Sequence, residues 1–314
     1  MDNSIQLSHI SKSYGKVKAL TDVALEIHPG ELFGLIGPDG AGKTTLFRIL
    51  TTLVLADEGK ATVCGLDVID GLKEIRRRVG YMPGHFSLYQ DLTVEENLNF
   101  FATVFHTTIK ENYELIRDIY QQIEPFSHRR AGKLSGGMKQ KLALCCALIH
   151  RPDVLFLDEP TTGVDPVSRN EFWDMLERLK AQGITILVST PYMDEASRCD
   201  RIALMREGQV LTIDTPEGIR RSFLHPLLAV KTGEASDMYP LLKELRAYPQ
   251  ALQCFSYGNA HHLTLKPQKE KDSGKEINIA EEKRVLQEFL IQKGFRDISI
   301  NEIEPSIEDC FMLL

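Results

Sequence analysis

With 314 residues, 43% of them hydrophobic and 26% charged, the chain can build roughly two domains with cores of their own, and a disordered or fibrous chain is excluded. Lys and Arg number 37 against 44 Asp and Glu, a formal charge of -7, which argues against a sequence-independent hold on nucleic acid over the whole surface; no nucleic-acid partner is expected. No apolar run approaches the ~18 residues needed to cross a bilayer, and the polar start Met1-Asp2-Asn3-Ser4 lacks the order of a secretory signal, so a cytoplasmic chain is predicted.

Residues 1–222 read as alternating strands and helices. The runs Leu32–Ile36, Val154–Leu157 and Ile184–Val188 are apolar on both faces, as strands of a sheet covered on both sides should be. From about 90 the texture turns helical. Thr93-Val94-Glu95-Glu96 leads into Leu98, Phe101, Ala102 and Phe105 at helical spacing, a second helix is predicted near 110–124, and the inserted helical subdomain is placed at about 90–150. Pro166 suits the first turn of another helix, whose apolar stripe is Phe172, Trp173, Leu176 and Leu179 and which Gly183 stops. Short strands are expected at 201–205 and 209–213.

At 223–314 the pattern restarts as strand (227–231), helix (237–247), strand (251–257), strand (261–266), helix (280–293) and strand (297–302). This βαββαβ order predicts a small ferredoxin-like α+β domain. The polar stretch 267–279 reads as a solvated loop. Of His261 and His262, consecutive on a strand, one is expected to face the core. The six cysteines (Cys64, Cys145, Cys146, Cys199, Cys254, Cys310) lack Cys-x-x-Cys spacing and read as reduced core thiols.

Three segments carry chemistry. Gly37-Pro38-Asp39-Gly40-Ala41-Gly42-Lys43-Thr44-Thr45 follows an apolar strand and opens a helix, a complete G-x-x-x-x-G-K-[ST] phosphate loop. Its glycines let backbone N–H groups turn toward phosphate oxygens, Lys43 supplies charge to the β and γ phosphates, and Thr44 offers a hydroxyl to Mg²⁺. Val154-Leu155-Phe156-Leu157-Asp158-Glu159 supplies the second acidic element: Asp158 for the metal, and Glu159 to orient or deprotonate the attacking water. The third segment, Leu134-Ser135-Gly136-Gly137, begins a helix. Taken alone it is a Ser-capped start. Ser135 with two residues lacking side chains also makes a second anion site, one that cannot reach phosphates held by its own chain's loop, so a second chain is implied.

Over residues from about 4 to 222, these motifs resemble the ATP-binding subunits of ABC transporters. Pro160-Thr161-Thr162-Gly163-Val164-Asp165-Pro166 and the Tyr14 of Ser13-Tyr14-Gly15 add to the match. The resemblance implies an ABC-type P-loop NTPase that binds ATP and Mg²⁺ and packs head to tail with a second ATP-binding subunit, as a hetero- or homodimer. Each ATP would lie between the phosphate loop of one subunit and Ser135, Gly136 and Gly137 of the other. Tyr14 would stack on adenine, and Asp165 would couple the two sites. The tail Glu304-Pro305-Ser306-Ile307-Glu308-Asp309-Cys310-Phe311 is similar to that of drug-export and ABC-2-type subunits. It also reads as an amphipathic segment docking Ile307, Phe311 and Leu314.

The sequence departs from the family twice. Gly84 stands where a glutamine touching Mg²⁺ and the attacking water is usual, and Pro191 where a histidine meets the γ phosphate. Proline has neither a donor N–H nor an imidazole. His85 and Tyr192 are the neighbours that could substitute. The expectation is an ATP-hydrolysing subunit that powers an exporter, peripheral on the inner face of the cell membrane through separate transmembrane permease subunits, with a weakened site of its own. The alternatives are an ATP-gated structural or regulatory module with little hydrolysis, and a soluble ABC ATPase acting on nucleic acid.

Overall fold

The computed structural model describes residues 4–233, 237–267 and 279–314. Met1–Asn3 of the polar start, and all of the predicted 267–279 loop except Pro267 and Ile279, lie outside the described residues. The chain divides into Met1–Pro216 and Glu217–Leu314. This break falls after Pro216, the first residue of the short helix Pro216–Arg221, and Ile219 of that helix is buried with its carbonyl 3.6 Å from the Cys310 Sγ.

In the first unit, strands β1 (Ile5–Tyr14), β2 (Val17–Ile27), β3 (Leu32–Ile36), β4 (Glu58–Val63), β5 (Leu66–Asp67), β6 (Val79–Met82), β7 (Val154–Asp158), β8 (Thr185–Thr190), β9 (Arg201–Arg206) and β10 (Gln209–Asp214) form two sheets. Helices α1 (Lys43–Leu50), α2 (Leu72–Arg78), α3 (Val94–Val104), α4 (Tyr113–Tyr120), α5 (Gly136–Leu148) and α6 (Pro166–Ala181) join them. The larger sheet runs β10-β9-β3-β8-β7-β6, parallel except for the antiparallel edge strand β10. Every residue of β3, β7 and β8 is buried, as their continuous apolar runs predict. The other sheet, β2-β1-β4-β5, is antiparallel, and sequence reading did not separate it from the parallel one. Its strands alternate buried and exposed residues, and Ile5, Leu7, Val23, Leu25 and Ile27 join Phe33, Leu46 and Phe47 in one core.

The inserted region holds α3, α4 and α5. Thr93 caps α3 with a full capping box, its Oγ1 accepting from the Glu96 N–H while Glu96 accepts from the Thr93 N–H. The helix predicted at 110–124 is shorter, Tyr113–Tyr120, and a separate 3-10 turn follows at Glu124–Phe126, where Pro125 cannot donate to an α ladder. In α6, Pro166 holds the first position, and Phe172, Trp173, Leu176 and Leu179 are buried as the stripe requires.

In the second unit, after α7 (Pro216–Arg221), come β11 (Leu227–Thr232), α8 (Met238–Ala247), β12 (Ala251–Tyr257), β13 (Ala260–Leu265), α9 (Ile279–Gln292), β14 (Ile298–Glu302) and α10 (Ile307–Leu313). The antiparallel order β12-β13-β11-β14 is that of a βαββαβ ferredoxin-like sheet. Both histidines of β13 are buried, not one. His261 meets the Met238 carbonyl of α8 at 2.8 Å and Ser256 at 3.1 Å, while His262 meets Asp309 of α10 at 2.8 Å. Successive strand residues face opposite ways, and here each face of the strand has a helix to meet. In α10, Ile307 and Phe311 are buried, but Leu314 stays exposed past the helix end. Five of the six cysteines are buried, and Cys64 is half-exposed.

Candidate functional site

The C-terminal ends of β3, β8 and β7 lie side by side, Ile36 paired with Thr190 and Asp158 with Ser189. In such parallel sheets ligands bind beyond these ends. The Gly37–Thr45 loop leaves β3 there and feeds α1. Gly40 and Gly42 take left-handed conformations, φ 80° and 99°, which a side chain would strain. Gly42 is also closed to a Cβ, which would come within 2.5 Å of the Ala19 carbonyl, and a Cβ on Gly37 would collide with the Met205 carbonyl. Two of the glycines are therefore fixed by packing from below, while Gly40 has open space above it.

A cleft of about 370 Å³ opens over the loop, lined by Asp39 through Thr45, by Val17–Ala19 of β2 and by Glu159. Of the predicted loop residues, Gly37 and Pro38 lie behind it: their carbonyls accept from the Lys43 Nζ at 2.8 and 3.1 Å. The same Nζ stands 3.2 Å from a Glu159 carboxylate oxygen, with the Lys43 side chain only 3% exposed. Tyr14 ends β1 opposite Val17, 45% exposed, at the edge of this cleft rather than in its lining.

The acids are held from β8. The Ser189 hydroxyl donates to Asp158 at 2.7 Å and accepts from the Glu159 N–H at 3.0 Å. Asp158 is buried, and Glu159 adopts φ 50°, a left-handed conformation that costs a non-glycine residue about 1–3 kcal/mol. That turn swings the Glu159 carboxylate toward Lys43, while Asp158 stays under Ser189. Sequence reading missed Ser189, which sits at an ordinary strand position, and it missed Val17–Ala19, which carry no motif.

Ser135 caps α5, its Oγ accepting from the Met138 N–H at 3.3 Å, and both Ser135 and Gly136 are exposed. A Cβ on Gly137 would lie 2.9 Å from the Ser168 Oγ, so this glycine lets α5 approach the start of α6. Asp165 caps α6 by accepting from the Ser168 N–H at 3.0 Å, and these backbone and side-chain bonds from Ser168 lower its carboxyl below the usual range. Ser135–Gly137 and Asp165 are therefore neighbours on one surface. None of the four lines the cleft over Lys43.

Gly84 lies beside Asp158, and a Cβ there would be 3.1 Å from the Asp158 carbonyl. His85 and Tyr192 both point elsewhere. His85 lines a groove of about 450 Å³ with Met82, Phe86, Phe101 and Phe105, and the Tyr192 ring lies 4.2 Å from the Arg169 guanidinium. Neither lines the cleft. Phe101 and Phe105, two of the apolar residues at helical spacing, are only half-buried because they face this groove.

A phosphate loop at the end of a central parallel strand, with a paired acid two strands away, defines a P-loop nucleotide-binding protein. Residues 20–162 match the family model described as ABC transporter. The chain is 40% identical over 301 residues to the probable multidrug ABC transporter ATP-binding protein YbhF of Escherichia coli (strain K12), an alignment spanning 94% of this chain and 48% of YbhF. It thus spans about half the length of that relative. It is 37% identical over 243 residues to the daunorubicin resistance ATP-binding protein DrrA2 of Streptomyces coeruleorubidus, covering 76% of each chain. Among solved structures, the dimer of MJ0796, a bacterial ABC transporter cassette, superposes with a TM-score of 0.61 at 27% identity, covering 67% of this chain and 98% of MJ0796. The chain belongs to the ABC transporter family and carries its ATP-binding domain.

Proposed function

We propose that this chain is an ATP-binding and ATP-hydrolysing subunit that drives an exporter of the drug-export or ABC-2 type. The observation that carries the reading is the 3.2 Å contact of Lys43 with Glu159 at the cleft over the phosphate loop. It puts the cation suited to phosphate oxygens and the carboxylate suited to the attacking water at one point. In this reading ATP lies in the cleft with its phosphates over Asp39–Thr45, Lys43 turning from Glu159 to the β and γ oxygens. Freed, the Glu159 carboxylate orients a water and takes its proton. Tyr14, at the cleft edge, stacks on adenine. The Thr44 hydroxyl and the Asp158 carboxylate, hard oxygen donors on either side of the Lys43–Glu159 contact in sequence, fit a magnesium ion held mainly by phosphate and water. A magnesium ion held by Thr44 and Asp158 would supply charge neutralisation at the phosphates.

Ser135, Gly136 and Gly137 are exposed or half-exposed and stand apart from their own chain's cleft, so they serve the nucleotide of a second subunit, with Asp165 beside them linking the two sites. The dimeric structure of the MJ0796 cassette supports a two-subunit working form. Among the described residues no helix is long and apolar enough to cross a membrane. In this reading the transport path belongs to separate transmembrane subunits, and the groove of Met82, Phe86, Phe101 and Phe105 offers them an apolar seat. An exporter is supported by a further relative, the Nod factor export ATP-binding protein I of Burkholderia lata, 38% identical over 221 residues and covered over 73% of its length.

Gly84 and Pro191 bring no side-chain donor to the reacting phosphate, and neither His85 nor Tyr192 lines the cleft in their place. We therefore assign this chain a slow site of its own and a heterodimeric working form, in which it lends Ser135–Gly137 to a faster site on its partner. The reading is tested by ATP titration and Mg²⁺-dependent phosphate release from the purified chain and its Lys43→Ala variant. Tight ATP binding with slow release, both lost in the variant, is expected. Failure of the chain to bind ATP overturns it, and binding with no turnover even beside a partner subunit favours an ATP-gated module instead.

A further inference from the structure

We infer that Glu195 is a positioning residue for ATP turnover, a buried carboxylate that clamps the loop carrying Glu159 and Asp165 to the end of β8; the inference rests on the hydrolytic reading above. Glu195 lies in the 3-10 stretch Met193–Arg198 and is 4% exposed. One of its carboxylate oxygens accepts two hydroxyls, Thr190 Oγ1 at 2.5 Å and Thr161 Oγ1 at 3.1 Å. The other accepts the Arg169 Nε–H at 3.1 Å. Both threonines are buried, 0% and 1% exposed.

The three partners sit on three separate parts of the site. Thr190 ends β8, next to the Ser189 that holds Asp158 and the Glu159 N–H, and its carbonyl accepts the Gly37 N–H at 3.4 Å. Its hydroxyl also accepts the Tyr192 N–H at 3.0 Å, which fixes the turn through Pro191. Thr161 follows Glu159 by two residues and leads to Asp165, the Val164 N–H donating to the Thr161 carbonyl. Arg169 lies one turn beyond Asp165 in α6. A single side chain therefore ties the strand end, the acid-bearing loop and the helix that begins at Asp165.

A carboxylate buried this completely is costly unless each oxygen is satisfied, and here the pairing with Arg169 and two hydroxyls does so. Among the described residues, no bond of Glu195 reaches the residues Asp39–Thr45 that line the cleft; the one link toward the loop is the Thr190 carbonyl's long 3.4 Å contact with the Gly37 N–H, behind the cleft. Loss of the clamp should shift Glu159 and Asp165 and leave the loop that grips phosphate in place. Misplacement of a reacting group by about 1 Å costs on the order of 100-fold in rate.

The test compares Glu195→Leu, which keeps bulk and loses both acceptors, with Glu195→Gln, whose amide oxygen can still take both hydroxyls. In Glu195→Leu, kcat is expected to fall about 10- to 100-fold with the ATP Kd within about threefold of the parent, and Glu195→Gln to stay within about threefold in both. Thr161→Val with Thr190→Val should reproduce the leucine phenotype and stands in if that variant does not fold. Unchanged kcat in the leucine and double valine variants overturns the inference, as does a Kd that rises in step with the loss of kcat, or a glutamine variant as slow as the leucine one. A parent chain that releases no phosphate defeats the hydrolytic reading itself and takes this inference with it, whereas an active parent with insensitive variants sinks the clamp alone.

Discussion

Lys43 and Glu159 pair at 3.2 Å, so the two side chains that would act on opposite ends of the bond to be broken hold each other instead. ATP must separate them. Glu159→Gln removes the competing charge but keeps the side chain's shape, so nucleotide affinity is expected to rise several-fold while turnover falls about 10²–10³-fold, the usual cost of one positioned catalytic group. Equilibrium titration with ATP against single-turnover phosphate release separates the two effects. Weaker ATP binding in Glu159→Gln would mean that the ion pair pre-orders Lys43 rather than occupying it.

Gly84 and Pro191 flank the same centre. Since Met82 pairs with Leu157 across β6 and β7, the chain beyond β6 runs beside Asp158, and a Cβ at Gly84 lies 3.1 Å from the Asp158 carbonyl. That is tight, but a shift of a few tenths of an ångström relieves it, so glutamine can be accommodated. Gly84→Gln combined with Pro191→His is expected to raise kcat at least about tenfold, since each restores a donor near the transferred phosphate. Steady-state phosphate release from the isolated chain reads this, and an unchanged rate shows that the site is slow for another reason.

The central architecture was legible because β3, β7 and β8 are apolar on both faces and because β3 and β7 end in motif residues, Gly37 through Thr45 and Asp158 with Glu159. The antiparallel sheet of β1, β2, β4 and β5 was not, since half-buried alternation such as that of Val23, Leu25 and Ile27 does not say which sheet a strand joins. Within the site, motif residues were visible and their supports were not. Ser189 and Glu195 act through one hydroxyl and one carboxylate, and nothing at their sequence positions distinguishes them from a strand serine and a surface acid. The pair His261 and His262 misled for a related reason: alternation forecasts opposite faces, but not that α10 would cover the second.

Exposure of Ser135 and Gly136 makes the dimer separable from nucleotide binding. Ser135→Arg places a long cation where a partner's polyphosphate would meet the start of α5, and it also removes the cap on Met138, a loss of about 1 kcal/mol that a well-packed helix tolerates. ATP affinity of the single chain should stay within about twofold of the parent, because none of the Ser135–Gly137 residues lines its cleft, while ATP-dependent dimer formation in the Glu159→Gln background should be lost. Sedimentation at matched protein concentration with and without ATP is the measurement. Dimers persisting in the variant would show that closure uses a different surface.

Asp309 does two jobs at the start of α10. One carboxylate oxygen accepts the Ser306 N–H at 2.9 Å and the Ser306 hydroxyl at 2.6 Å, closing a capping box, and the other meets His262 at 2.8 Å. Asp309→Ala strips both and leaves a buried imidazole without its partner, an expected loss of about 2 kcal/mol from the second unit. Asp309→Asn can keep one set of bonds but not both in full, because its amide has one acceptor oxygen where the carboxylate has two, and it should fall between. Urea unfolding followed by the protection of α10 amides from hydrogen exchange reads the order. The phosphate loop lies in the other unit, so ATP affinity should be unchanged in both variants. If alanine and asparagine are equally destabilised, the bond to His262 carries nothing that the cap does not, and α10 is held by Ile307 and Phe311 alone.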